Sequence, residues 1–192
     1  MSPLVQPRYT PEEYLRQERA AASKSELING RIYAMAGASR RHNLIVGNLF
    51  AEIRSQLRGK PCEAYVNDMR VKVARTELYT YPDIAALCGE PMFEDEHVDT
   101  LLNPSAIVEV LSESTEKYDR GEKFAHYRRL DSLREYVLVA QNTRRIEQYV
   151  RHGEAWTLTE ISDPDAVLRI ESVGCSIPVA EIYDRVDFAA PE

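Results

Sequence analysis

Two carboxylates set inside apolar runs are the first residues in this chain that could do chemistry. Asp83 lies in YPDIAALC, and Glu109, 26 residues further on, lies in SAIVEVLS. A buried carboxylate without a partner is costly, so such a group neutralises, pairs with a cation or binds a metal ion. If the two runs are adjacent strands, both acids are aimed at one place, and their hard oxygens suit Mg²⁺ or Mn²⁺. A hydrolytic site of this kind usually wants a cation beside the second acid, yet Glu109 is followed by Val110 and Leu111. The plain alternative is that Pro82-Asp83 makes a turn and Glu109 pairs with an arginine. Ser112 and Ser114 have no histidine at a telling spacing, so a serine nucleophile gains no support.

The elements that must position these acids can be read from pattern. Thr10-Pro11-Glu12-Glu13 combines a hydroxyl N-cap, proline at the first helical position and glutamate at N3, which predicts a helix to about Ala22. SELINGRIYAM reads as a hairpin around Asn29-Gly30. From Ser39 to Leu57 the apolar residues Ile45, Leu49, Ile53 and Leu57 recur at helical spacing. Strand-like runs follow at 62–66, 69–74, 81–88 and 105–111, interrupted by an acidic loop, GEPMFEDEHVDTLLN. Pro82 cannot donate to a ladder, which puts Asp83 at a strand start or an edge. Asp119 with Glu122 reads as an N-cap and its N3 acid, opening a helix to about Leu130. A meander at 135–140, 145–151 and 155–161, a strand near 166–171 and a short helix after Pro178 complete the chain. The order is that of a mixed α/β protein with an additional antiparallel β-meander, expected as one domain over 1–192: helix and hairpin 9–36, core 39–150, and strands and tail 151–192.

Composition narrows the function classes. The 192 residues are 44% hydrophobic and 29% charged, ordinary for a soluble globular protein. No apolar run reaches the ~20 residues that span a bilayer, and the first 30 positions lack the n-region and h-region of a signal peptide; a cytoplasmic location is expected. Cys62, Cys88 and Cys175 are odd in number and widely spaced, which argues against a disulfide framework or a zinc site and for a reducing compartment. The net charge of −7 counts against a protein that coats nucleic acid through phosphate neutralisation. Arg40-Arg41-His42 and Arg128-Arg129, with Arg134 nearby, are the basic clusters.

Pro-Asp on one strand followed by an apolar strand carrying glutamate resembles the PD-(D/E)XK nuclease superfamily. IVEVLSESTEKYDRGEKFAHYRRLDSLREYVLV, SELINGRIYAM and GASRRHNLIVGNL together resemble its Uma-type restriction endonuclease group, over residues 9 to 184. That resemblance implies a restriction-endonuclease-like mixed β-sheet core flanked by helices, and DNA phosphodiester hydrolysis dependent on Mg²⁺ or Mn²⁺. It implies Asp83, Glu109 and Lys123 as catalytic residues, with Asp83, Glu109 and Glu26 as metal ligands and the Val110 carbonyl as a further one. Lys123 stands for the lysine that the superfamily places two residues after the glutamate, where this chain has Leu111. Asp119 and Tyr127 would share its helix face; Lys117 is its competitor. Glu26, His42 and Tyr127 are accessory candidates. DNA as substrate and a homodimer are the implied partners, with no membrane and no nucleotide cofactor. The alternative is an inactive nuclease fold that binds nucleic acid or a protein partner.

Overall fold

The computed structural model of the chain describes residues 7–189; the outermost positions of the expected 1–192 span lie outside these. Helix α1 (Pro11–Ala20) begins as its sequence requires. Thr10 Oγ1 accepts from the Glu13 N–H at 3.2 Å while Glu13 Oε2 accepts from the Thr10 N–H at 2.9 Å. Strands β1 (Ser25–Ile28) and β2 (Arg31–Ala34) are joined by Asn29 and Gly30, with φ of 51° and 76°. Both residues of such a tight hairpin turn must take positive φ, which Asn-Gly tolerates. Helix α2 (Arg40–Gln56) is capped by Ser39, whose Oγ accepts from the His42 N–H at 3.2 Å.

The remaining strands are β3 (Cys62–Val66), β4 (Arg70–Val73), β5 (Leu78–Thr80), β6 (Ile84–Cys88), β7 (Thr100–Leu101), β8 (Ala106–Leu111), β9 (Glu135–Ala140), β10 (Ile146–His152), β11 (Ala155–Ile161), β12 (Val167–Ile170) and β13 (Cys175–Pro178). They form a five-stranded sheet in the order β2-β1-β5-β4-β7, a six-stranded sheet in the order β11-β10-β9-β8-β6-β3, and the β12-β13 hairpin. The run expected at 81–88 is therefore two things: β6, and a crossover at Tyr81–Asp83 that carries the chain from the small sheet into the large one. Asp83 stands at a strand start, as expected, but β6 lies between β8 and β3 and is not an edge.

Alternation along the central strands divides the core into two layers. Val108 and Val110 of β8 pack with Ile45, Leu49 and Ile53 of α2, and with the hairpin and helix α5 (Val179–Ile182). Ile107 and Leu111 face the opposite way, among Val71, Leu101, Tyr127 and Tyr136. Burial on both faces explains why AIVEVL is an unbroken apolar run, and why Glu109, pointing into the second layer, needs an account. Helix α1 covers the far side of the small sheet through Tyr14 and Leu15 against Leu27 and Tyr79.

Two expectations are corrected. Asp119 does not open a helix. That helix starts at Glu116 as α3 (Glu116–Tyr118), passes through a π-helical segment Asp119–Lys123 and ends as α4 (Phe124–Tyr127). Asp119 sits inside it with its side chain buried, because the carboxylate has a cation to meet. The Tyr136 hydroxyl donates to the Asp119 carbonyl at 3.0 Å, satisfying backbone in the π turn. The helix stops at Tyr127, short of Leu130.

The second correction is a disulfide joining Cys62 and Cys88. Antiparallel pairing of β3 with β6 sets the two residues directly opposite each other, a juxtaposition that their spacing in sequence does not announce; Cys175 is the free thiol and is buried. The inference of a reducing compartment loses the support it drew from unpaired cysteines. In denaturant without reductant, the protein is expected to titrate one thiol, rising to three after reduction, and reduction should cost about 3.5 kcal/mol of stability on the loop-closure estimate. Three thiols before reduction would refute the pairing. Among the described residues no helix is long and apolar enough to cross a membrane.

Candidate active site

The register of the large sheet brings the two strand acids together. Ile84 pairs with Val108 and Ala85 with Ile107, so one step further Asp83 stands opposite Glu109. Residues opposed in this way project from one face with Cβ atoms about 4.5–5.5 Å apart. Asp83 is held at both oxygens: Oδ2 accepts from the Val110 N–H at 2.7 Å, and Oδ1 lies 2.9 Å from His42 Nε2. The Ser39 cap and the start of α2 thus aim His42 at Asp83.

The third acid comes from the small sheet. Leu27 pairs with Tyr79, so Glu26 faces Thr80, whose hydroxyl donates to Glu26 Oε1; the Tyr81 N–H donates to the same oxygen at 3.3 Å. Glu18 of α1 ties this region down. Its Oε1 accepts from the Ser25 N–H at 2.9 Å and the Tyr81 hydroxyl at 2.9 Å, and Oε2 accepts from the Ser25 hydroxyl at 2.5 Å. Ser25 adjoins Glu26 and Tyr81 precedes Asp83 by two residues, so one buried carboxylate fixes both acid-bearing segments.

The cation arrives from the helix. Lys123 Nζ lies 2.8 Å from Glu109 Oε1, 3.6 Å from Asp119 Oδ1 and 3.7 Å from Glu26 Oε1. Tyr127, one turn further on, donates its hydroxyl to Glu109 Oε1 at 2.9 Å. Burial alone would lower the lysine, but Glu109, Glu26 and Asp119 outweigh it and hold the ammonium well above its ordinary range. Burial pushes the Glu109 carboxyl up to about 8, with Asp119 and Asp83 adding to the rise and Lys123 opposing it. Burial likewise raises Asp119. Side-chain exposure grows from 6% at Glu109 and 7% at Lys123 to 12% at Glu26 and 16% at Asp83, so the cluster opens on the side of Glu26 and Asp83.

Asp83, Glu109, Lys123, Glu26, His42 and Tyr127 therefore border one cluster. Among the described residues no three His, Cys, Asp or Glu side chains form a metal cage; Lys123 stands where Glu26, Glu109 and Asp119 converge. Lys117 lies on the exposed side of α3. Two members escaped a reading by motif. Asp119 is expected on the helix face of Lys123 but as a cap and not as a member of the acid cluster, and Thr80 gives no signal at all. The Tyr118 hydroxyl, shielded from solvent and unbonded among the described residues, also faces these charges: burial raises its pKa first, and Glu26 next.

Comparison with known proteins places the chain in a family. An uncharacterized Synechocystis sp. protein, sll1609, is 40% identical over 158 residues, covering 82% of this chain and 89% of its own. A second from the same organism, slr1290, is 34% identical over 183 residues, 95% of each chain. The crystal structure titled "putative nuclease belonging to DUF820" from Anabaena variabilis superposes with a TM-score of 0.76 at 17% identity, over 91% of this chain and 97% of the other. That likeness shows the fold. The Uma2 family model, described as "Putative restriction endonuclease", matches residues 11–180, and the chain belongs to that family.

Proposed function

We propose that the protein is a metal-dependent endodeoxyribonuclease in which Asp83, Glu109 and Lys123 act on the scissile phosphodiester. One observation carries this reading: a buried ammonium 2.8 Å from Glu109, on the acid that faces Asp83, supplied by a helix where the strand has Leu111. Glu26, Asp83 and Glu109 would hold Mg²⁺ or Mn²⁺. The donor types fit such an ion: Glu26, Glu109 and Asp119 share one lysine and Asp83 stands opposite Glu109, so carboxylates outnumber the buried cation, which suits a hard dication. The unbonded Tyr118 hydroxyl supports an oxygen-rich occupant as well. When bound, the ion supplies Lewis acidity to a water and neutralises charge on the phosphate.

Each protein group then has a task. Lys123 keeps its proton, so it serves as a fixed positive charge beside the phosphate and not as a base. Tyr127 holds Glu109 in one orientation, and His42 and the Val110 N–H hold Asp83. A homodimer would present two such sites to two strands. Lys123 already satisfying Glu26, Glu109 and Asp119 favours a second reading, an inactive fold that binds nucleic acid or a protein. Calorimetric titration with Mn²⁺ separates the two: the nuclease reading expects binding by wild type that is lost in Asp83→Asn, and an absence of binding by wild type would end it.

A further inference from the structure

The β1-β2 hairpin extends the site toward solvent. Glu26 pairs with Tyr33 and Ile28 with Arg31, and the Met35 N–H bonds the Lys24 carbonyl, continuing that register. Alternation therefore places Arg31, Tyr33 and Met35 on the face that carries Glu26. Tyr33, Glu26 and Thr80 form one row across β2, β1 and β5, with the acid cluster at its inner end. Five large apolar side chains are exposed among the described residues, and two are Tyr33 at 47% and Met35 at 37%. Arg31 is exposed, and its side chain engages in no hydrogen bond or ion pair among the described residues.

An aromatic ring, an apolar side chain and an uncommitted guanidinium in one line beside a phosphodiester site have a specific chemical use. A chain with net charge −7 gains little from broad phosphate neutralisation. Stacking of bases on an aromatic ring supplies affinity without that charge, but only to bases not already stacked and paired in a duplex. We infer that this face of β2 is a platform for single-stranded DNA, with a nucleobase on Tyr33 and a phosphate on Arg31, feeding the strand past Glu26. This rests on the nuclease reading of the adjoining cluster and names its substrate as unpaired DNA.

Fluorescence anisotropy tests it with the whole protein in EDTA, where no hydrolysis intrudes, using a short labelled oligonucleotide as single strand and as duplex. The single strand should bind at least about tenfold more tightly, and Tyr33→Ala should weaken it about tenfold, as loss of one stacked base does. Tyr33→Phe should bind as wild type. Arg31→Gln should flatten the dependence of log K on log salt by about 0.7, the slope of one phosphate contact on a single strand. Unchanged single-strand binding by Tyr33→Ala, or preference for duplex, overturns the platform. All three variants change exposed side chains on an edge strand, and an unaltered thermal transition checks their folding. Cleavage by wild type with Mg²⁺, measured alongside, keeps the two ideas apart. Binding as described without cleavage counts against the nuclease reading, while cleavage with indifferent Tyr33→Ala binding counts against the platform alone.

Discussion

Lys123→Met is expected to slow DNA hydrolysis by at least about 100-fold, the scale for removing one preorganised charge from a reacting centre. Methionine retains most of the apolar stem, so packing beside the Tyr127 ring changes little. What disappears is the ammonium within 3.7 Å of Glu26, Glu109 and Asp119. Taking one partner from a buried charge cluster typically costs about 3–5 kcal/mol, so the denaturant midpoint should fall as well. Rates measured far below the shifted transition separate the chemical loss from unfolding. Wild-type turnover by folded Lys123→Met would remove the lysine from the mechanism.

Glu109→Gln is expected to lose activity on a similar scale, at least about 100-fold, while leaving the metal-free protein as stable as wild type or more so. The amide keeps the shape and can still accept from Tyr127, yet it carries no charge to desolvate. The pH dependence has a definite sign. The folded carboxyl is raised to about 8, above the ~4.3 of an unfolded glutamate, so the folded state holds the proton more tightly. The stability this contributes is complete below about pH 4 and is lost as pH rises through about 8. Chemical denaturation of the EDTA-treated protein at several pH values should show that decline in wild type and a shallower one in Glu109→Gln. Equal slopes would mean that Glu109 titrates normally.

Much of this site can be read from the sequence because its acids interrupt simple patterns. Glu109 is the one charge in AIVEVL, a strand buried on both faces, and Pro82 marks where β6 must begin. Ser39 as the cap of α2, and Asn29-Gly30 as a turn, are local signals whose physics is complete within a few residues. What pattern could not give depends on distant pairing. The disulfide exists because β3 and β6 are antiparallel in one register. Glu26 meets Lys123 only because the chain crosses between sheets at Tyr81–Asp83. Asp119 was misread because Asp with glutamate three residues on is a sound capping signal, here overridden by a buried cation and a π turn, a feature often found at functional sites.

The most direct measurement is conversion of supercoiled plasmid DNA by purified wild type and by Asp83→Asn, each with Mg²⁺ and with EDTA. Asparagine preserves the acceptor for the Val110 N–H and removes the charge opposite Glu109. Nicking by wild type with Mg²⁺, absent in EDTA and absent in Asp83→Asn, is the result expected of this site. Equal nicking by both proteins, or none by wild type with Mg²⁺ or Mn²⁺, would contradict it.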